Sequence, residues 1–173
     1  MASEPESNSR TDQSPADAWS QGIRSQGREP AETITVETVL AAGRIGELLE
    51  LPADEPVVVR RRLRYVDHVL HTTADTYFPR AMVAGTAIEL PTDVLPGALT
   101  VLADVGYPIN GHRDTIRVRP PTSTEADLFD LGPGVAVAEH VRVRRTAEGR
   151  VGAATVSVLP GDRNEIMYER SGR

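Results

Sequence analysis

The sequence predicts an α+β fold, a single antiparallel sheet of about six strands flanked by helices. Three observations lead there. Runs of alternating or β-branched residues are bounded by turn-forming residues. Short apolar-periodic segments with recognisable starts and stops lie between those runs. The chain also matches itself at a spacing of 80 residues, so the fold is expected to carry a two-fold internal pseudo-repeat.

Residues 1–31 read as a flexible polar tail in which Ser, Gln, Asn, Asp, Glu, Pro and Gly dominate and the few apolar residues show no period. Within it only Trp19 and Ile23 are equipped to dock on a folded body. Residues 32–173 read as the folded domain. Thr33 to Val39 alternates as a half-buried strand does, and Ala41 to Leu51 carries Ile45, Leu48 and Leu49 on one helix face before Pro52 ends it. Glu55 to Val66 is the strongest strand, rich in valine. After Asp67-His68 the chain returns as Val69 to Phe78, which makes an antiparallel hairpin. Pro79 and the stretch around Gly85 interrupt regular structure. Pro96 then stands in the first turn of a helix carrying Leu99, Leu102, Ala103 and Val105, with Gly106 at its C-terminal end. His112 to Arg119 reads as a strand. Thr122-Ser123-Thr124-Glu125 is a capping box, opening a short helix to Leu131 that Gly132 stops. Val135 to Thr146, Val151 to Leu159 and Asn164 to Tyr168 read as three more strands.

The self-match places Leu48-Leu49-Glu50-Leu51 on Leu128-Phe129-Asp130-Leu131, Arg62 on Arg142 and Arg64 on Arg144. Phe78-Pro79 meets Leu159-Pro160 one residue later, because the second hairpin is longer. Two copies of helix, strand, hairpin and strand are too few for a solenoid, and one shared sheet buries both.

At 173 residues, 39% of them hydrophobic and 25% charged, the composition is that of one globular domain. No apolar run is long enough to span a bilayer and no secretory signal opens the chain, so a cytoplasmic location without a membrane partner is expected. The absence of cysteine excludes disulfides, thiolate nucleophiles and Cys-based metal sites. His68, His71, His112 and His140 have no metal-ligand spacing, and no cofactor is expected. A net charge of −6 argues against a chain that coats nucleic acid. All 19 basic residues are arginine, which removes Schiff-base chemistry and the P-loop lysine together. A GC-rich coding sequence is one source of that bias. Bidentate binding of carboxylate or phosphate by arginine forks is another, and placement has to separate the two.

Side chains alternate along a strand, so Arg60, Arg62 and Arg64 share one face. With Asp67-His68 as a two-residue turn, Arg64 is expected opposite His71, Arg62 opposite Thr73 and Arg60 opposite Asp75. Arg142 and Arg144 repeat the arrangement, and Thr115, Arg117 and Arg119 share a face of another strand. Such a face is either solvated surface or the wall of a polar pocket. Pro96-Gly97-Ala98 opens a helix with free backbone N–H groups, which together with arginine forks would hold a small anion.

In these residues the chain resembles the UTRA domain, the effector-binding domain of HutC-type GntR-family transcription regulators. The matching stretches run from Leu51-Pro52-Ala53-Asp54-Glu55-Pro56-Val57 through Arg60-Arg61-Arg62-Leu63-Arg64-Tyr65-Val66-Asp67 to Asp75-Thr76-Tyr77-Phe78-Pro79. They continue with Val118-Arg119-Pro120-Pro121-Thr122, Leu131-Gly132-Pro133-Gly134-Val135 and Val158-Leu159-Pro160-Gly161-Asp162-Arg163, so that the resemblance covers roughly residues 19–170. It implies a chorismate-lyase-like fold, a small molecule bound beside the sheet, and dimerisation through the domain. It also implies that Arg62 and Arg64 contact an anionic effector, with Asp75 at the family's acidic position and Gly97-Ala98 at the helix start that meets the anion. Gly97 stands where members often carry serine, and the last strand lacks their aromatic near Asn164. The candidate ligand-binding set is Arg62, Arg64, His71, Thr73, Asp75, Tyr77, Gly97, Ala98 and Arg117. The winged helix-turn-helix that precedes such domains has no counterpart in the polar segment, so DNA contact is expected only through a separate domain.

The expected function is therefore binding of a small anionic effector by a regulatory module of the GntR/HutC type, as a homodimer or beside a full-length GntR-type regulator. Two alternatives stand beside it. One is a lyase acting on an aromatic carboxylate, with Asp75 or Glu139 as acid or base. The other is a dimerising partner that draws full-length regulators off DNA.

Overall fold

The computed structural model describes residues 15–167. Helix α1 (Pro15–Ser25) leads into strand β1 (Pro30–Leu40), helix α2 (Arg44–Leu49) and the hairpin β2 (Pro56–Val66) and β3 (Val69–Pro79). A connecting segment follows, with α3 (Arg80–Val83), a 3₁₀ turn (Ala87–Glu89) and α4 (Ala98–Asp104). Strand β4 (Ile109–Arg119), helix α5 (Ser123–Phe129) and the hairpin β5 (Val137–Thr146) and β6 (Val151–Pro160) complete the chain.

All six strands form one antiparallel sheet in the order β1-β2-β3-β6-β5-β4. That order reads the same from either edge once the halves are exchanged, so β1–α2–β2–β3 and β4–α5–β5–β6 are the two copies of the repeat. The repeating unit thus starts one strand earlier than the sequence match suggested, because β1 and β4 carry unlike residues at matched positions. The predicted α+β class, the central hairpin and the capping box are all present. Thr122 accepts from the Glu125 amide while the Glu125 carboxylate accepts from the Thr122 amide.

The two faces of the sheet are covered differently. On the first, Val58, Phe78 and Ala153 pack under Met82, Val83, Ile88 and Leu102 from the segment that joins the repeats. On the second, Val57, Val141, Val143 and Ala154 pack under Leu49 and the helix α2. Both cores are apolar, and interiors of this kind are close-packed, so the sheet is a rigid floor for anything built on either face.

Three readings need correction. Ordered structure begins inside the segment taken as a tail, since α1 and the start of β1 lie there; residues 1–14 are outside the described residues. Helix α1 holds only Trp19 and Ile23 as an apolar i, i+4 pair, too little for a sequence pattern to register, and it docks by stacking instead. Residues 164–167 form no strand; Asn164 donates to the carbonyls of His71 and Pro160 (2.8 and 2.9 Å), folding the segment back on β3. Tyr168 lies outside the described residues.

The third correction concerns register. Asp67 and His68 do form the two-residue turn, both with positive φ (50° and 66°). Arg28 and the Glu29 amide hold the Asp67 carboxylate at 2.8 Å each. Beyond the turn, however, His71 is bulged out of the ladder. Tyr65 pairs with Leu70 and Arg64 with Thr72, so Arg62 opposes Ala74 and Arg60 opposes Thr76. A slip of one residue moves every following side chain to the other face. The second repeat bulges at the matching place, where Arg144 pairs with Ala153, Arg145 with Val151, and Gly152 is left between them. Gly152 suits that place because a Cβ there would come within 2.7 Å of the Ile109 side chain.

Candidate functional site

A cleft of about 300 Å³ opens on the first face, between the sheet and the start of α4. Strand β2 contributes Arg60 and Arg62, β3 contributes Ala74, Thr76 and Phe78, β5 contributes Arg144 and β6 contributes Ala153 and Thr155. The roof is Asp93, Val94 and the stretch Pro96–Thr100. The pocket therefore straddles the line where the two repeats meet.

Its three arginines differ in what they already hold. Arg60 is 6% exposed. Its guanidinium donates to the carbonyls of Ile88, Leu90 and Thr92 at 2.8, 2.6 and 2.6 Å. It clasps the connecting segment to the sheet, and burial lowers its pKa. Arg62 is neutralised by Glu32 and Asp93, each at 3.3 Å. Arg144 donates to the Thr155 hydroxyl at 3.0 Å and, among the described residues, forms no ion pair. Burial is the largest influence on it and lowers its pKa, with repulsion from Arg142 adding to that and the more distant Asp114 carboxylate offsetting part of it. A part-buried guanidinium with one neutral hydrogen-bond partner and no ion pair among the described residues is the group in this cleft most in need of an anion. The Thr155 hydroxyl is 3.1 Å from that of Thr76, so the two threonines extend the polar end.

The expected site residues divide cleanly between the faces. Arg62, Gly97 and Ala98 line the cleft. Arg64 shares their face but is turned away, paired with Glu32 at 2.9 Å and stacked 4.8 Å from the Trp19 ring centre. Thr73, Asp75 and Tyr77 lie on the opposite face as a result of the bulge; Asp75 pairs there with Arg61 at 3.1 Å. His71 is the bulged residue itself, beside Asp162 and Arg163, with burial lowering its pKa. Arg117 lines a different hollow on the second face with Arg44, Arg113 and Glu139.

Neither carboxylate considered for acid–base work stands in the cleft. Glu139 is held by Arg44 at 2.6 Å and Arg119 at 3.1 Å, which lowers its pKa. Sequence reasoning placed Arg144 in the repeat but did not select it, and it missed Thr76 and Thr155 altogether. Strand parity with the bulge included would have found all three.

Chain comparisons agree with this geometry. Residues 25–165 match the model of the UTRA domain. An uncharacterized HTH-type transcriptional regulator of Streptomyces coelicolor is 34% identical over 146 residues, which cover 82% of this chain and 54% of that protein. The chain thus spans about half the length of that relative. Among solved structures, a GntR-family transcriptional regulator from Bacillus cereus superposes with a TM-score of 0.71 at 15% identity, covering 82% of this chain and 99% of that one. The effector domain of PhnF from Mycobacterium smegmatis gives 0.66 at 18% identity, covering 87% and 94%. The C-terminal domain of the histidine utilization repressor from Pseudomonas syringae gives 0.64 at 15% identity, covering 82% and 100%. No helix among the described residues is long and apolar enough to cross a membrane. With two-thirds of its length and more matched by that model, the chain belongs to the UTRA domain family.

Proposed function

We propose that the cleft on the first face is the effector site of a regulatory domain, and that it binds a small anion between Arg144, Arg62 and the start of α4. The observation that carries this reading is the state of Arg144, a part-buried cation with a threonine hydroxyl as its hydrogen-bond partner and no ion pair among the described residues. An incoming carboxylate or phosphate would satisfy it with charge-assisted hydrogen bonds, each worth about 1.5–3 kcal/mol. The family supports the regulatory role, in which ligand occupancy is passed to a partner or a separate DNA-reading domain. The two carboxylates that a lyase reading assigns as acid or base, Asp75 and Glu139, lie on the other face of the sheet.

Self-association fits the same picture. Strand β4 is a sheet edge among the described residues and exposes Ile116 and Val118, the latter 71% exposed. Such an apolar edge suits pairing with a second copy, and sedimentation of the purified chain tests it.

Titration calorimetry with a panel of small anions tests the binding itself. Saturable binding by at least one, weakened about 10–100-fold in Arg144→Ala, is the expected result. A panel without saturable binding, or an Arg144→Ala variant that binds as tightly as the parent, would overturn the assignment.

A further inference from the structure

The chemistry of the cleft wall says which anions suit it. Arg62 is balanced by Glu32 and Asp93, and Arg60 is occupied by three carbonyls, so of the three cleft arginines Arg144 is the one with no ion pair or carbonyl partner among the described residues. Thr155 accepts from Arg144, and the two threonine oxygens share one hydrogen between them, which leaves a single hydroxyl hydrogen to aim at a ligand. The polar end can therefore supply one cation and one neutral donor. The remaining wall is mostly apolar, with Ala74, Phe78, Val94, Pro96, Leu99 and Ala153, and its polar members are Asp93, already paired with Arg62, and Thr100. Those two groups are too few to pair the hydroxyls of a polyhydroxylated ligand, and burying unpaired hydroxyls there would be costly.

We propose, building on the effector-site reading above, that the ligand is a monocarboxylate with a compact apolar body rather than a sugar phosphate. At about 30 Å³ for each water-sized group, the cleft of about 300 Å³ takes roughly ten non-hydrogen atoms. An aryl carboxylate or a straight-chain acid of six to eight carbons is of that order. The carboxylate lies between Arg144 and Arg62 with Thr76 beside it, and the body lies on Phe78 and Leu99.

The test is calorimetry of the full chain with acetate, butanoate, hexanoate, phenylacetate, glucose 6-phosphate and inorganic phosphate. Affinity is expected to rise about fourfold per added methylene from acetate to hexanoate, with phenylacetate at the tight end and glucose 6-phosphate weakest. Leu99→Ser should flatten the chain-length series. Tighter binding of either phosphate than of hexanoate would overturn the carboxylate class and leave the effector site standing. Absence of saturable binding by all six would overturn both.

A separate observation concerns how occupancy is sensed. An unbroken chain of charges runs from the cleft to the N-terminal helix. Asp93 in the roof holds Arg62 at 3.3 Å, Arg62 holds Glu32 at 3.3 Å, Glu32 holds Arg64 at 2.9 Å, and Arg64 stacks on Trp19 of α1 at 4.8 Å. Glu32 is shared by two cations, so its pull on one depends on what else the other holds. The geometry points to Trp19 as the reporter of the cleft. An anion that engages Arg62 weakens its hold on Glu32, Glu32 closes on Arg64, and the Arg64–Trp19 stack and the seat of α1 shift with it.

Trp19 is the only tryptophan in the chain, so its emission reads the stack directly. Titration with hexanoate is expected to change that emission with the midpoint calorimetry gives. In Arg64→Met binding persists within about threefold while the ligand-dependent change in emission disappears. Hexanoate binding without any change in parent emission would overturn the coupling, as would an unchanged response in Arg64→Met. If hexanoate does not bind, the same titration is run with whichever panel anion does.

Discussion

The two repeats carry the same pair of arginines and treat them oppositely. In the first, β1 sets Glu32 opposite Arg64 and Ile34 opposite Arg62. In the second, β4 sets His112 opposite Arg144 and Asp114 opposite Arg142. The acid has moved by one pair along the strand. Glu32 consequently serves both Arg62 and Arg64, whereas Asp114 is taken by Arg142 in a two-pronged pair (2.6 and 2.7 Å) with His140 at 3.0 Å. Arg142 and His140 together pull the Asp114 carboxyl far below its usual range. Among the described residues Arg144 is left without an ion pair in a fold that gives its twin one. One carboxylate is displaced between the repeats while the strand pairing is kept, and the arginine it leaves is the one proposed to take the anion.

The largest expected effect tests what else the repeats do unequally at the next position, where Arg60 matches His140. Arg60 ties three carbonyls of the connecting segment to the sheet, while His140 only completes the ligation of Asp114. Arg60→Ala strands those carbonyls and is expected to cost on the order of 3–5 kcal/mol. His140→Ala should cost about 1 kcal/mol. Chemical denaturation of both variants checks this, and similar losses would mean that the clasp is not what holds the roof of the cleft.

Next comes the helix that follows each first strand. In the second repeat α5 starts on a full capping box, and the Arg119 fork grips Glu125 at 2.7 Å with both nitrogens. In the first, Gly43 starts α2 without a side-chain cap. The Arg119 hydrogen bonds lower the Glu125 carboxyl to about 2 from 4.5. A carboxyl held low in the folded state favours folding above its unfolded value, and that gain is lost as pH falls from about 4.5 towards 2. The gain is on the order of 2–3 kcal/mol at neutral pH after allowing for partial exposure. The parent should therefore outlast Glu125→Gln in denaturant at pH 7, and the gap should close by pH 2. A gap independent of pH would assign the effect to packing.

These differences show what could be read from the chain alone. The strands, the hairpin turn and the capping box announce themselves through local chemistry, in β-branched runs, a two-residue turn and a Thr-x-x-Glu spacing. The repeat was legible because Leu48 to Leu51 and the paired arginines survive in both copies. The bulge at His71 was not, since nothing in His71 itself demands that it leave the ladder. It is the same one-residue shift that moved Thr73, Asp75 and Tyr77 to the far face and put Ala74 and Thr76 in the cleft. The partners of the arginines were equally hidden. Whether Glu32 or His112 faces an arginine depends on strands 32 residues apart in both repeats, and register between distant strands is set by packing rather than by local pattern.

The smallest expected effect is also the most direct test of the comparison. Replacing His112 with Glu restores to the second repeat the acid that the first repeat has. Glu32 reaches Arg64 at 2.9 Å from the same cross-strand position, so the geometry for the new pair exists in the molecule already. The new carboxylate would occupy the Arg144 fork and compete with any ligand for it. Anion affinity is expected to fall about tenfold, a little over 1 kcal/mol, because His112 is half-exposed and water screens part of the pair. His112→Gln, which adds no charge, should stay within about twofold. Both are read by calorimetry against the tightest anion of the panel. If His112→Glu bound as tightly as the parent, the absence of a counter-ion at Arg144 could not be what makes the cleft an anion site, and the roof at Gly97 and Ala98 would have to supply the attraction instead.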